Sequence, residues 1–369
     1  LVATSSTIRL STPLSGYDIH IGSGLLASLY PQLRAVMHGR PFRSFLITSP
    51  SIWDLWSANV LASFPAEQTP IVLFLPAGEE HKRMRAVESL CEQMAQAGAD
   101  RDSLLLAFGG GVIGDLAGFV AAIFMRGIPF VQIPSTLLAQ VDSSIGGKTG
   151  VNLAAGKNLV GSFHQPLAVI ADIELLRTLP ERELMAGLQE SVKAAIIRDP
   201  SLFSYLEANK LLIISRDASV LARIIAESVQ IKADVVQEDE RESGIRMILN
   251  FGHTLGHAIE AATNFKQLLH GEAVAWGSIA ALHLGRMRGT ITPEQFARMT
   301  ALIHAFGPLP GFIARSAQLV ALTAADKKTR NGRRAFVLPT GIGSVEIVYD
   351  VSDGELSRAA EAMLAEVPQ

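Results

Sequence analysis

The chain has 369 residues, 49% of them apolar and 18% charged, with a net charge of −3 and one cysteine. That length allows two domains and a sizeable core, and the slightly acidic balance gives no reason to expect nucleic acid or an anionic membrane as partner. Cys91 alone excludes an intramolecular disulfide and any Cys-based zinc site, reads as a buried bystander, and fits a reducing cytoplasm.

No uninterrupted apolar run reaches the roughly 18–20 residues of a membrane span. The opening LVATSSTIRLSTPL lacks the basic start and apolar block of a signal peptide. The first half then alternates strand-like and helix-like segments. SFLITS (44–49), IVLFLP (71–76), Ser103 to Phe108, PFVQIP (129–134) and AVIADI (168–173) read as buried strands. An amphipathic helix spans 79–98 and stops at Gly98, and another follows GGGVIGD through Phe124. This alternation predicts a mostly parallel α/β sheet. From Leu179–Pro180 the pattern becomes helical, over about 181–197, 200–209, 217–238, 245–262, 271–288 and 293–305, with a hairpin at 334–348. The fold class is therefore α/β plus all-α, with domains at 1–178 and 179–369. A cleft between two such domains is a usual place for a ligand.

Gly109, Gly110, Gly111 and Gly114 form a G-x-G-x-x-G pattern after a strand and at a helix start, where backbone N–H groups approach a pyrophosphate. The acidic ribose partner expected about 20 residues on is absent and the strand is not the first of its domain, so a merely tight turn competes with a dinucleotide site. Asp115 is a helix-start residue or a cofactor contact. The segment DSSIGGKTGVNLAAGKN (142–158) reads as a long Gly-rich loop, in which Lys148 and Lys157 suit a phosphate or carboxylate cradle.

In RMILNFGHTLGHAIE (246–260), Arg246, Asn250, His253 and His257 are spaced 4, 3 and 4 and predict one polar stripe on one helix. Such a stripe is costly to bury without a bound metal or anion. The sequence HTLGH lacks the Glu of HExxH, which disfavours a zinc protease. Spacing leaves open whether a metal takes both histidines or one of them with His270. Glu190 and Lys193 are either an i,i+3 surface pair or a metal ligand and a substrate contact. Two His and a carboxylate suit Zn²⁺, Co²⁺ or Fe²⁺.

Taken together, GGGVIGDLAGFVAAIFMRG (109–127), PSTLLAQVDSSIGGKTGVNLAAGKNLVGSFHQP (134–166), QESVKAAIIRDP (189–200), DERESGIRMILNFGHTLGHAIE (239–260), LHGEAVAWG (269–277) and DKK (326–328) resemble the 3-dehydroquinate synthases of the sugar phosphate cyclase family. The resemblance runs from about Phe45 to Ile347. It implies a Rossmann-like NAD-binding domain over 1–178 and a helical metal- and substrate-binding domain over 179–369. It implies Glu190, His253 and His270 as ligands of a divalent metal, zinc or cobalt, with His257 on the substrate side. Glu79, Lys82, Asp115, Ser135, Thr136 and Thr178 match cofactor positions, together with the glycine turn. Lys148, Lys193, Lys232, Arg246, Asn250, His257, Lys327 and Lys328 match substrate positions, and Asp142, Lys157, Asn158 and Glu242 match other site positions. Arg126 matches an arginine delivered by a neighbouring subunit, which implies a homodimer. One departure is Thr48-Ser49-Pro50-Ser51, where many members carry an acidic T-D-x-N turn for the adenosine ribose. A hydroxyl at Ser49 bonds a ribose less strongly than a carboxylate does.

The implied reaction converts 3-deoxy-D-arabino-heptulosonate 7-phosphate to 3-dehydroquinate and phosphate. It proceeds by transient NAD-dependent oxidation, phosphate elimination, reduction and intramolecular aldol closure, on the route to aromatic amino acids. Three other readings compete: a cyclase making a different cyclitol, a metal-dependent polyol dehydrogenase, and an inactive NAD-binding regulator. The first commonly alters the positions of Lys148 and Asn250, both intact here.

Overall fold

The computed structural model describes residues 5–13, 15–242, 244–324, 329–330 and 333–368. These divide into two compact units, one of residues 1–180 with 221–237, the other of 181–220 with 238–369.

In the first unit β1 (Ser6–Ser11) and β2 (Gly16–Gly22) form an antiparallel hairpin that the sequence reading passed over. Helix α1 (Leu29–Val36) follows. Then come β3 (Ser44–Thr48), α2 (Pro50–Leu61), β4 (Ile71–Phe74), α3 (Met84–Gln96), β5 (Leu104–Gly109), α4 (Gly111–Ile123) and β6 (Phe130–Pro134). The hairpin β7 (Lys148–Leu153) and β8 (Gly156–Phe163) precedes β9 (Ala168–Asp172). The seven-stranded sheet has the order β1-β2-β9-β6-β5-β3-β4, parallel throughout except for β1.

Strands β3, β5, β6 and β9 are buried along their whole length, which is why they read as unbroken apolar runs rather than alternating ones. Phe45, Ile47, Leu105 and Ala107 share one core cluster with residues of α3 and α4. Leu46, Leu104, Leu106 and Phe108 share another with residues of α1 and α2. The chain leaves β3 for β4 on one side, then returns to place β5 on the other. The strand order thus reverses between β3 and β5, and ligands of open α/β sheets lie beyond the carboxyl ends of strands at such a reversal. Here those ends lead into Ser49 and into Gly109–Gly111.

Two expectations fail in this unit. The helix read over 79–98 begins at Met84, because Glu79–His81 form a separate 3-10 turn after Gly78. The 142–158 segment is not one long loop: its first two residues end a π-turn, Ala139–Ser143, and from Lys148 on it forms β7 and the start of β8. Its glycines masked the strand pattern.

The second unit holds α5 (Glu181–Arg198), α6 (Pro200–Ala208), α7 (Lys210–Ile214), and the start of α8 (Ala218–Glu238). It continues through α9 (His253–Ala262), α10 (His270–Arg288), α11 (Pro293–Ala305) and α12 (Ser316–Ala324). The short pair β10 (Thr329–Arg330) and β11 (Arg333–Arg334), the hairpin β12 (Phe336–Gly341) with β13 (Ser344–Val348), and α13 (Asp353–Leu364) complete it. Most of α8, residues 221–237, belongs to the first unit.

The single helix expected over 245–262 is broken. Ile245–Asn250 winds as a 3-10 turn, Phe251 is extended, and Gly252 takes φ 76° before α9 begins. Arg246 and Asn250 therefore do not share a stripe with His253 and His257. The cause lies in α10, against which α9 packs with almost no side chain between. A Cβ on Gly252 would lie 2.3 Å from Ser278 Oγ, and one on Gly277 would lie 2.0 Å from the Gly252 carbonyl oxygen. The approach of α10 to α5 is equally close, since a Cβ on Gly271 would lie 1.8 Å from the Ala186 carbonyl oxygen. Arg182 fastens the same two helix starts by donating to both oxygens of Glu272, at 2.6 and 2.8 Å.

These approaches leave no room for one added methyl. Overpacking of this kind costs about 1–3 kcal/mol or more. Gly277→Ala is expected to lower the urea midpoint by a corresponding amount at unchanged m-value; an unaltered midpoint would show that α9 and α10 can separate freely.

Candidate active site

In the first unit the glycine turn joins β5 to α4 with Gly110 at the N-cap position and no side chain capping the helix. Its first-turn N–H groups are thus available to an anion. Gly110 faces the Thr136 side chain, Gly111 faces Ser143, and Gly114 faces Gln132 of β6, where a Cβ would stand 2.7 Å from the amide oxygen. Glycine at that third position permits close helix–sheet packing. The N–H of Ser135 donates to the Gly109 carbonyl at 2.9 Å, and Thr136 Oγ1 accepts from the Ala139 N–H at 3.2 Å.

Lys82 is buried and donates to Asp115 Oδ2 and to Asn158 Oδ1, both at 2.6 Å. Burial pushes the Asp115 carboxyl above its ordinary range, and the Lys82 ammonium pulls it back only in part. Glu79 accepts from Asn152 Nδ2 at 2.7 Å. Lys232, on the part of α8 that belongs to this unit, donates to Asp142 Oδ1 at 2.6 Å and to the Asp142 carbonyl at 2.5 Å. Lys148 opens β7 and is exposed, and Lys157 lies on β8.

Ser49 is buried and caps α2, accepting from the Ile52 N–H at 3.4 Å, with Pro50 at the first helical position. Its hydroxyl also lies 3.1 Å from Ser51 Oγ. Thr178 Oγ1 accepts from Trp56 Nε1 at 3.0 Å. Arg126 is exposed with φ 70°, next to the exposed Met125.

In the second unit α5, α9 and α10 bring Glu190, His253 and His270 together. One atom of each lies within 4.8 Å of the others. Glu190 Oε1 stands 3.8 Å from His253 Nε2 and 3.9 Å from His270 Nε2. The other carboxylate oxygen, Oε2, takes the Lys193 ammonium, so the Glu190–Lys193 pair is a buried one and not a surface pair. Glu190 Oε1 itself is buried with no hydrogen-bond partner. An unsatisfied buried acceptor costs about 1–3 kcal/mol, more when charged, and a cation between the three groups would satisfy it. The donor set, two imidazole nitrogens and a carboxylate oxygen, fits a borderline divalent metal with one position left for substrate or water.

Groups beyond these three side chains orient them. His253 Nδ1 lies 3.1 Å from the Phe251 carbonyl, which turns Nε2 toward Glu190. His270 Nδ1 lies 3.4 Å from Glu260 Oε2. Glu260 escaped the sequence reading, although it continues the His253–His257 spacing by three more residues. It also makes a second set, His257, Glu260 and His270, within the same 4.8 Å limit. The unpartnered oxygen belongs to Glu190, and this favours the first set. The His257 ring stands edge-on to that of His253, with centroids 5.4 Å apart.

Arg246 is fully buried, with its guanidinium on the Glu240 carbonyl. Asn250 Nδ2 donates to Glu242 Oε1 at 2.8 Å, and Glu242 has φ 57°. These three gather around the 239–250 turn. Lys327 and Lys328 lie outside the described residues.

Two family models cover most of the chain: 3-dehydroquinate synthase N-terminal over residues 72–186, and 3-dehydroquinate synthase C-terminal over residues 187–329. A 3-dehydroquinate synthase from Solibacter usitatus is 47% identical, spanning 96% of this chain and 99% of its own length. Among solved structures, a 2-epi-5-epi-valiolone synthase from Streptomyces hygroscopicus, with NAD⁺ and Zn²⁺ bound, is 29% identical at a TM-score of 0.86, covering 97% of this chain and 99% of its own. A 2-deoxy-scyllo-inosose synthase complexed with carbaglucose-6-phosphate, NAD⁺ and Co²⁺ is 25% identical, also at 0.86, covering 97% and 99%. The chain belongs to the 3-dehydroquinate synthase family.

The two overlapping sets make different predictions for zinc content. His253→Ala and His270→Ala are both expected to lose stoichiometric zinc on equilibrium dialysis, whereas His257→Ala retains it. Loss of zinc from His257→Ala together with retention by His253→Ala would assign the ion to the other set.

Proposed function

We propose that this chain carries out the reaction of its family on 3-deoxy-D-arabino-heptulosonate 7-phosphate, releasing 3-dehydroquinate and phosphate as a carbon–oxygen lyase. The observation that supports this most is the buried Glu190–His253–His270 set with its unpartnered oxygen. NAD⁺ and a divalent metal, zinc or cobalt, are its cofactors, as in the two solved relatives. When bound, they supply a hydride acceptor and donor, and a Lewis acid for the substrate hydroxyls.

The chain's own residues do the rest. Glu190 Oε1 and the Nε2 atoms of His253 and His270 would hold the ion. The glycine turn and the start of α4 would take the pyrophosphate, with Glu79, Lys82, Asp115, Ser135, Thr136, Thr178 and Ser49 around the nucleotide. Ser49 is already engaged in capping α2, so it offers a ribose less than a free carboxylate would. Lys148, Lys157, Lys193, Lys232 and Arg246 would complement the substrate carboxylate and phosphate, each charge-assisted contact contributing on the order of 1.5–3 kcal/mol. Asn158, Asn250, Asp142 and Glu242 would orient its hydroxyls and the basic groups. His257 would carry the proton, as an imidazole set beside the Glu190–His253–His270 set. Arg126 would act from a second copy of the chain, making the enzyme a homodimer. We place it in the cytoplasm, in keeping with its single cysteine.

A polyol dehydrogenase would accumulate NADH in step with product. This enzyme, given the heptulosonate phosphate, NAD⁺ and Co²⁺, is expected to release one phosphate per carbocycle with no net NADH. Stoichiometric NADH would reject the reading. Lys148→Ala is expected to cost far more in phosphate release than in NAD⁺ affinity, and equal losses would place that lysine elsewhere. Mixed Arg126→Ala and His270→Ala protomers should regain part of the activity that each lacks; no regain would speak against a shared arginine.

A further inference from the structure

The β7–β8 hairpin changes register beside Asn152. Val151 pairs with Val160 and Leu153 with Gly156, so residues 157–159 of β8 bulge opposite Asn152 alone. A bulge bends its strand and re-aims the side chains around it. The backbone of Asn152 turns away to a different segment: its N–H donates to the Lys82 carbonyl at 2.8 Å, and it bridges to Arg83.

The Asn152 side chain is 4% exposed and is engaged at both ends. Nδ2 donates to Glu79 Oε1 at 2.7 Å, and Oδ1 accepts the Asn158 N–H at 2.8 Å. Asn158 has a left-handed backbone, with φ 51°, and its own Oδ1 accepts from Lys82 at 2.6 Å. A carboxamide donates from one end and accepts at the other. An aspartate keeps the acceptor and loses the donor; an alanine loses both.

We propose that Asn152 is a positioning residue that locks the hairpin carrying Lys148, Lys157 and Asn158 onto the Glu79–Lys82 turn, and that it acts on the cofactor through Glu79. This rests on reading Glu79 and Lys82 as cofactor contacts.

The test is a calorimetric NAD⁺ titration of the full chain as E79A, N152A, the double variant and N152D. E79A and N152A are each expected to weaken NAD⁺ binding about ten-fold or more. Two residues acting through one contact are non-additive, so E79A/N152A should bind within about three-fold of E79A alone. N152D sets a carboxylate against Glu79 while keeping the Asn158 contact, and should bind no better than N152A. It also serves if N152A fails to fold. Wild-type affinity in N152D, or fully additive losses in the double variant, would overturn the proposal while leaving the cofactor reading in place. Wild-type affinity in E79A would overturn both.

Discussion

A carboxylate oxygen buried without a donor is the feature around which the helical unit is arranged. Glu190 spends Oε2 on Lys193 and points Oε1 at two imidazole nitrogens. That oxygen is buried with no hydrogen-bond partner, and a cation between those groups would offset its loss of solvation. Glu190, His253 and His270 come from three helices, and close backbone contact brings them to one point. Gly271 directly follows His270 and abuts Ala186, one turn before Glu190 on α5. Gly252, Gly256 and Gly277 do the same for α9 and α10. The meeting of these three side chains is thus permitted by residues that have no side chain.

The α/β unit solves a different problem with the same economy. Its sheet reverses strand order between β3 and β5, and the glycine turn lies at that reversal. The half-buried helix N-terminus there carries no side-chain cap, which leaves its N–H groups to a pyrophosphate. Around it, Lys82 is buried yet bonded twice, to Asp115 on α4 and to Asn158 on the hairpin. The burial that pushes Asp115 up is the cost of holding this pair away from solvent. A single network therefore joins the turn before α3, the helix after the glycines, and the hairpin.

Much of this was legible in the sequence, for physical reasons that can be named. Strands buried on both faces announce themselves as apolar runs, and so β3, β5, β6 and β9 were placed. Glu190, His253 and His270 were reached through a family resemblance. Spacing alone could not choose between His257 and His270, since that choice depends on how α9 meets α10. The continuous helix over 245–262 was wrong because the polar and apolar spacing runs on through Gly252, where the chain takes a left-handed turn against α10 that leaves no room for a Cβ. The β7–β8 hairpin was hidden by its glycines. Asn152 was missed because its partners, Glu79 and Lys82, lie far back in the chain, whereas Glu260, three residues beyond His257, could have been found by extending the stripe.

The central claim, that Glu190, His253 and His270 grip one divalent ion, is tested most directly by anomalous diffraction from a crystal grown with cobalt. A single strong peak is expected about 2.0–2.2 Å from Glu190 Oε1 and from the Nε2 atoms of both histidines. A peak lying instead between His257 and Glu260, or none at either position with cobalt in excess, would contradict it.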